Sequence, residues 1–76
     1  MTKKEVVIAV LKAHDCLTRG QIKEFAKRIY GEDISKQTAA GVLRPFIADG
    51  WVRKYPDPVN GKMVYWFTEI GKKVIS

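Results

Sequence analysis

Two capping boxes divide the first half of the chain into helical segments, and this pattern limits the folds that the chain can form. In the first box, Thr2 is followed three residues later by Glu5, a spacing that satisfies two backbone N–H groups at a helix start. The apolar run Val6–Leu11 comes directly after it. The sequence therefore predicts a helix from about Lys3 to Ala13, which His14-Asp15 ends.

The second box consists of Thr18 and Gln21, and Leu17 stands before it as one half of a hydrophobic staple. Gly31 is well placed to end this helix near Tyr30, because glycine readily takes the left-handed conformation of a helix end. Between these signals, apolar residues recur every third or fourth position, which predicts one buried helical face. These residues are Ile22, Phe25, Ala26 and Ile29.

A third helix is predicted to begin after Ser35, a favourable N-cap, and to end after Asp49 at Gly50. Pro45 falls inside it, where its ring should clash with the carbonyl group of Gly41. Because Gly41 has no side chain, we expect the backbone to bend there and the helix to continue with a kink. The residues expected to face the core are Ala39, Val42, Leu43, Phe46 and Ile47, with Ile34 as an apolar anchor before the cap.

Two segments rich in aromatic and β-branched residues follow, Trp51–Tyr55 and Met63–Phe67, and both are predicted to be strands. Asn60-Gly61 between them is a strong turn signal, and the two prolines before it cannot lie inside a central ladder. The sequence therefore predicts a hairpin with a protruding tip. Thr68 then caps a last short helix. This helix carries the apolar residues Ile70 and Val74.

The aromatic residues of the hairpin have two interpretations. A hairpin that covers a three-helix core usually buries its aromatic side chains, so Trp51, Tyr65 and Phe67 are expected in the core. A base-stacking surface for single-stranded nucleic acid is the other interpretation, and Trp66 remains open between the two.

The order helix, helix, helix, strand, strand, short helix is that of the winged helix-turn-helix superfamily, and several motifs strengthen the match. Ile34–Leu43 and Asp49–Lys54 resemble the recognition helix and the first wing strand of that superfamily. Pro56–Lys62 and Phe67–Lys72 resemble the wing and the following helix start of MarR-type regulators, and Met63–Phe67 is similar to a wing strand of small PapI-like regulators. The resemblance implies an α+β fold with a three-helix core, a β-hairpin wing and a short C-terminal helix, formed by residues 1–76 as a single domain.

The resemblance also implies where DNA would be bound. In a helix-turn-helix, the second helix of the motif enters the major groove and its N-terminal residues meet base edges. The hydrogen-bonding groups of Gln37 match adenine, and those of Lys36 and Arg44 match guanine. The start of helix 2 and the wing would contact phosphates. The residues implied are Arg19, Ser35, Lys36, Gln37, Thr38, Arg44, Asn60 and Lys62.

Each of these residues also has a plain structural interpretation, with Ser35 as a cap only and the others as solvated polar groups. The positions of Ala40 and Gly41, where base-reading residues are often long and polar, are nearly bare. One explanation is that the helix backbone lies unusually close to the DNA there. The other is that few bases are read directly, so that any preference for particular DNA sequences depends on DNA shape. Asn60 and Lys62 depart from the MarR-type pattern, because MarR-type wings usually carry an acidic residue and an arginine at these two positions.

The net charge of +6 over 76 residues indicates a polyanionic partner. We expect a regulator of transcription that binds double-stranded DNA by sequence or by shape, with a homodimer or a partner protein adding to the affinity of one small domain. The alternative is a winged-helix module that binds protein and not DNA, since a fold does not determine function. RNA binding is a third interpretation, without a specific motif. A basic face on helix 3 and the hairpin would favour DNA, and an apolar helix 3 face would favour protein.

The sequence disfavours other classes of function. His14, Asp15 and Cys16 are adjacent and cannot converge as a nucleophilic site requires, so no enzyme is expected. One histidine and one cysteine cannot build a standard zinc site, and nothing indicates a cofactor or a small-molecule ligand. No apolar run approaches the ~20 residues of a membrane span. We expect a cytoplasmic protein in which Cys16 is a buried apolar residue.

Overall fold

The computed structural model describes residues 1–14 and 16–75 of the chain. Three helices are followed by a hairpin and a short helix, as the sequence predicts, and a two-residue strand lies between the first two helices. In chain order the elements are α1 (Lys3–Ala13), β1 (Leu17–Thr18), α2 (Arg19–Tyr30), α3 (Lys36–Ala48), β2 (Val52–Pro56), β3 (Met63–Phe67) and α4 (Glu69–Ile75).

The strand β1 is absent from the sequence prediction and corrects it. Leu17 pairs with Tyr65 and Thr18 pairs with Val64, so that β1 and β2 flank β3 in an antiparallel sheet of order β1-β3-β2. Two residues are too few to show the alternating period of a strand, and their partners lie far along the chain. Thr18 is also the N-cap of α2, and this is the signal that the sequence displays.

The hairpin is confirmed, with a shift of one residue in its first strand. β2 begins at Val52 instead of Trp51 and ends at Pro56, which pairs with Met63. The sequence places Pro56 in the connection. It lies in the ladder because β2 is the edge strand of the sheet, where proline is tolerated.

Both capping boxes are formed. The Thr18 hydroxyl accepts the Gln21 N–H at 3.2 Å, and the Gln21 side chain accepts the Thr18 N–H at 2.9 Å. Thr2 and Glu5 form the same pair of hydrogen bonds at 3.2 and 3.0 Å. The Glu5 carboxylate accepts the Thr2 N–H, and this hydrogen bond lowers the pKa of Glu5 from its ordinary value of 4.5. The hydrogen bond therefore stabilises α1 above the ordinary pKa of glutamate and is lost as the pH falls through the lowered one.

The ends of the first two helices also agree with the sequence. α1 ends at Ala13 with His14 as its C-cap, whereas Asp15 lies outside the described residues. α2 ends at Tyr30, and Gly31 follows with a left-handed φ of 68°. Cys16 is exposed, which corrects the expectation that it is buried. Its neighbour Leu17, the first residue of β1, is buried instead.

A hydrophobic core lies between the three longer helices and the inner face of the sheet. The expected inward residues of α3 all contribute to it, although Val42, Phe46 and Ile47 are only partly buried. Trp51 is half-buried and stacks on Phe46 with ring centroids 5.6 Å apart. The buried members of the core are Val6, Val7, Val10, Leu11, Leu17, Ile22, Ala26, Ile34, Ala39, Leu43, Val52, Tyr65 and Phe67.

The predicted buried face of α2 is correct for the first part of the helix and wrong for Ile29. Ile22 and Ala26 are fully buried and Phe25 is half-buried, whereas Ile29 is 55% exposed. All side chains from residue 27 to residue 30 are exposed, so the last turn of α2 extends past the core.

α3 continues through Pro45 as one helix, as predicted. The missing side chain of Gly41 is not what makes room for the proline, which corrects the reason expected from the sequence. Apart from its two chain neighbours and the backbone of α3, no described atom lies within 4 Å of a Cβ atom built at Gly41, and this excludes contact with the side chain of Pro45. The kink stays a prediction. Gly50 follows the C-cap Asp49 with a left-handed φ of 77°, which confirms the predicted helix end.

Thr68 and Gly71 hold α4 against the start of the hairpin. Thr68 donates its backbone N–H to the Trp51 carbonyl at 2.9 Å and its hydroxyl to the Gly50 carbonyl at 2.8 Å. The same hydroxyl accepts the Gly71 N–H at 3.1 Å, which confirms Thr68 as the cap. A Cβ atom at Gly71 would lie 2.1 Å from the Trp51 carbonyl oxygen, so only glycine fits there. Ile70 and Val74 of α4 are exposed.

We expect Gly71→Ala to lower the free energy of unfolding by about 2–3 kcal/mol, because the added methyl group overlaps the Trp51 carbonyl group and displaces α4. Urea denaturation followed by circular dichroism measures this change. Lys72→Ala, at an exposed neighbouring position of α4, is the control and should stay within about 0.5 kcal/mol of wild type. An unchanged unfolding free energy for Gly71→Ala would contradict the close packing of α4 on Trp51.

Candidate nucleic-acid interface

The start of α3 is exposed, and Ser35 builds its cap. The Ser35 hydroxyl accepts the Thr38 N–H at 3.0 Å and donates to the Thr38 hydroxyl at 2.8 Å. The only proton of the Ser35 hydroxyl is therefore engaged within the helix start, which supports the structural interpretation of this residue. Lys36 and Gln37 are exposed beside the cap, and Thr38 is half-buried.

The outer face of α3 carries polar side chains and one bare position. Gln37, Gly41 and Arg44 are exposed, and their spacings of four and three residues place them on one side of the helix. Ala39 and Leu43 face the core instead. Among the described residues, the large apolar side chains that are exposed all lie outside α3. The apolar α3 face that would favour a protein partner is therefore not observed.

A surface cleft of about 310 Å³ lies between the first turn of α2, the start of α3 and the tip of the hairpin. Arg19, Lys36 and Lys62 line it, one from each of these three elements. The sequence assigns all three residues to DNA binding, but nothing in it places them together. The other residues that line the cleft are Thr18, Gly20, Gly61 and Met63.

Gly20 also lines the cleft, although the sequence does not mark it as a candidate. A Cβ atom built at Gly20 would lie 3.6 Å from Lys36 Cε and 3.9 Å from Lys36 Nζ. The end of the Lys36 side chain therefore passes over the first turn of α2. A glycine in the first turn of a helix, where most residues would be more favourable, is the signal that could have drawn attention to it.

The tip of the hairpin is a tight turn that presents Lys62. The Asn60 side-chain oxygen accepts the Lys62 N–H at 2.8 Å, and the Asp57 N–H donates to the Lys62 carbonyl at 2.8 Å. Gly61 takes a left-handed φ of 71° and donates its N–H to the Asp57 carbonyl at 2.7 Å. The oxygen of Asn60 thus shapes the turn, and Asn60 is not among the residues that line the cleft.

Arg44 lies outside the cleft, on the outer face of α3. The ion pairs Lys23–Asp33 and Glu24–Arg28 line a separate depression. Their carboxylates therefore do not neutralise the three positive charges of the cleft. The cleft therefore combines three positive side chains with the positive end of a helix dipole.

Trp66 is the aromatic residue of the hairpin whose interpretation the sequence leaves open. Trp66 is half-buried and meets the ring of Tyr55 edge-on, with centroids 5.1 Å apart. Tyr65 and Phe67 are buried, as expected. Trp66 is thus packed against Tyr55, its diagonal neighbour on β2, and is only partly available for stacking.

No protein-family model matches the chain, and no curated protein matches it. Solved structures do match it. A MarR-family transcriptional regulator from Silicibacter pomeroyi is 28% identical with a TM-score of 0.74, and the match covers 93% of this chain and 44% of that one. A second transcriptional regulator is 23% identical with a TM-score of 0.75, and the match covers 99% of this chain and 52% of that one.

Two further matches are to a structure solved with DNA and to a protein described as DNA-binding. A mutant MarR from E. coli complexed with operator DNA is 18% identical with a TM-score of 0.67, over 97% of this chain and 50% of that one. A winged-helix DNA-binding protein from STIV is 18% identical with a TM-score of 0.72, over 93% of this chain and 75% of that one.

The chain therefore has a MarR-like winged helix-turn-helix fold, as the sequence resemblance implies. It spans about half the length of the MarR-family structures that it matches. Within residues 1–14 and 16–75, every helix is too short or too polar to cross a membrane.

We expect Ser35→Ala to lower the free energy of unfolding by about 1 kcal/mol, because the Thr38 N–H loses its acceptor at the start of α3. Ser35→Asp keeps an oxygen at the same position and should retain most of the wild-type stability. Thermal and urea unfolding of the two variants measure the difference. Equal stability of the wild type and Ser35→Ala would show that this cap contributes nothing to the fold.

Proposed function

We propose that the protein binds double-stranded DNA as a regulator of transcription, with α3 in the major groove and the hairpin on the flanking backbone. The observation that carries the proposal is the cleft in which Arg19, Lys36 and Lys62 meet beside the exposed start of α3. Three elements each contribute one positive charge to it, which is an arrangement suited to an extended polyanion.

The cleft supports a contact to phosphate. Backbone N–H groups at a helix start favour an anion, and the first turn of α2 forms one wall of the cleft. Lys36 lies over this turn, with its Nζ atom 3.9 Å from the point where a Cβ atom of residue 20 would lie. We therefore assign Lys36, with Arg19 and Lys62, to the DNA backbone, where such residues determine affinity and orientation more than sequence preference.

The outer face of α3 supports contacts to bases. Gln37 and Arg44 are exposed on the side of the helix that faces away from the core. Glutamine can form two hydrogen bonds with adenine and arginine can form two with guanine, through groups in the major groove. We assign base reading to these two side chains, and Thr38 and Ser35 to the shape of the helix start.

The matching structures support the same proposal. The MarR structure from E. coli was solved with operator DNA, and the protein from STIV is described as DNA-binding. We infer that residues 1–76 form one DNA-binding domain around the single core described above. Since one domain of this size contacts a short stretch of duplex, we propose that tight binding needs a second copy or a partner protein.

A salt titration of DNA binding tests the cleft. We expect the wild type to bind random-sequence duplex DNA with a log–log salt dependence, measured by fluorescence anisotropy. The triple variant Arg19→Ala/Lys36→Ala/Lys62→Ala should lose about 0.9 in slope for each phosphate contact removed, which amounts to about 2–3 in all.

The matched control removes three charges elsewhere. The residues Lys3, Lys4 and Lys27 are exposed and do not line the cleft. Their triple replacement by alanine should leave most of the slope in place. Equal slopes in the two triple variants would contradict the role of the cleft, and no wild-type binding at low salt would contradict DNA binding and favour a protein partner.

Site selection from a random duplex library tests the assignment of Gln37. We expect Gln37→Ala to reduce discrimination at one base pair by about 1–3 kcal/mol and to leave the salt slope unchanged. Lys36→Ala should do the opposite, with weaker binding to all sequences and a smaller slope. A Gln37→Ala variant that enriches the same sequences as the wild type, with the same preference at every position, would remove this residue from base reading.

A further inference from the structure

Gly41 lies in the middle of α3, at a position where the fold has no need of a glycine. Positive φ angles occur at Gly31, Gly50 and Gly61, but Gly41 is helical and any residue could adopt its conformation. Apart from its two chain neighbours and the backbone of α3, no described atom would lie within 4 Å of a Cβ atom there. Glycine is less favourable than alanine in a helix interior. The residue therefore weakens α3 at a position where the described structure leaves room for a side chain.

Pro45 acts on the same stretch of backbone one turn later. Proline has no N–H, so the hydrogen bond that residue 45 of a regular helix donates to the carbonyl oxygen of residue 41 is missing. Gly41 and Pro45 are both exposed residues. α3 thus carries, at an exposed residue, a backbone acceptor that lacks its usual helical donor.

This acceptor lies at the centre of the surface proposed to read bases. Gln37 precedes Gly41 by four residues and Arg44 follows it by three, so all three positions share the outer face of α3. The donors that a major groove offers to an acceptor are the amino groups of adenine N6 and cytosine N4. A carbonyl oxygen can reach such a group only where the helix backbone comes close to the base edge.

We propose that Gly41 is the point of closest approach between α3 and the DNA, and that its carbonyl oxygen accepts a hydrogen bond from an amino group of adenine or cytosine. This inference rests on the proposed function and adds a contact made by the backbone. A methyl group at position 41 would hold the helix away from the base edge. The same substitution removes a glycine from a helix, so it has opposite effects on the free protein and on the complex.

Two measurements on Gly41→Ala test the proposal. Without DNA, the melting temperature should rise by about 4–8 °C, as expected when alanine replaces glycine in a helix of a domain of this size. With a short duplex selected by the wild-type chain from a random library, Kd should increase about tenfold or more. Ala13→Leu adds bulk at an exposed helical position of α1 and should leave Kd unchanged.

Pro45→Ala separates the carbonyl contact from the close approach. This variant restores an N–H that can bond the Gly41 carbonyl oxygen within the helix, so we expect a weaker preference for adenine or cytosine at one position of the selected site. An unaltered preference would overturn the carbonyl contact.

The remaining outcomes are also decisive. A Gly41→Ala chain that is more stable and binds as tightly as the wild type would overturn the close approach. A less stable Gly41→Ala chain would show that the fold needs this glycine, and would overturn the premise. If the wild type binds no duplex, the proposed function fails together with this inference, and that result is distinct from a failure at Gly41 alone.

Discussion

The antiparallel pairing of β1 with β3 is the interaction on which the cleft between α2, α3 and the hairpin depends. Through it Thr18, the cap of α2, lies opposite Val64 in the hairpin. The first turn of α2 and the tip of the hairpin are neighbours as a result, and Arg19 and Lys62 line the same cleft. The longer β2–β3 ladder forms the hairpin but does not by itself determine where the hairpin lies relative to α2. The two residue pairs of β1 and β3 therefore bring Arg19 and Lys62, which are far apart in the sequence, to the same cleft.

The N-caps have a comparable role at the level of the helices. The hydroxyls of Thr18 and Ser35 accept N–H groups of their first turns, and each cap determines the residue at which its helix begins. Arg19 and Lys36 directly follow these caps. They consequently lie where the free N–H groups and the helix dipole favour an anion. The same hydrogen bonds that stabilise the helices thus position the charged side chains of the cleft.

α3 has to satisfy two requirements that conflict. Its inner face contributes Ala39 and Leu43 to the core, which in a domain of this length buries only a modest share of the chain's surface. Its outer face nevertheless contains Gly41 and Pro45, both unfavourable in a helix interior, and a Cβ at Gly41 would meet no described side chain beyond its chain neighbours within 4 Å. Stability that is given up on an exposed face is commonly connected with function. The outer face of α3 is therefore, like the charged cleft, a candidate contact surface in the proposed complex.

The sequence by itself determined the features that depend on residues a few positions apart. The capping boxes, the cap at Ser35, the left-handed glycines and the Asn60-Gly61 turn are local, because each depends on hydrogen bonds or torsion angles within one turn of chain. For this reason most of the helix and hairpin bounds, and the individual cationic candidates, could be predicted. The exposure of Ile29, the pairing of β1 and the convergence of Arg19, Lys36 and Lys62 could not. These were decided only by the tertiary structure, because they depend on where the core ends and on contacts between segments that packing, and not local spacing, brings together.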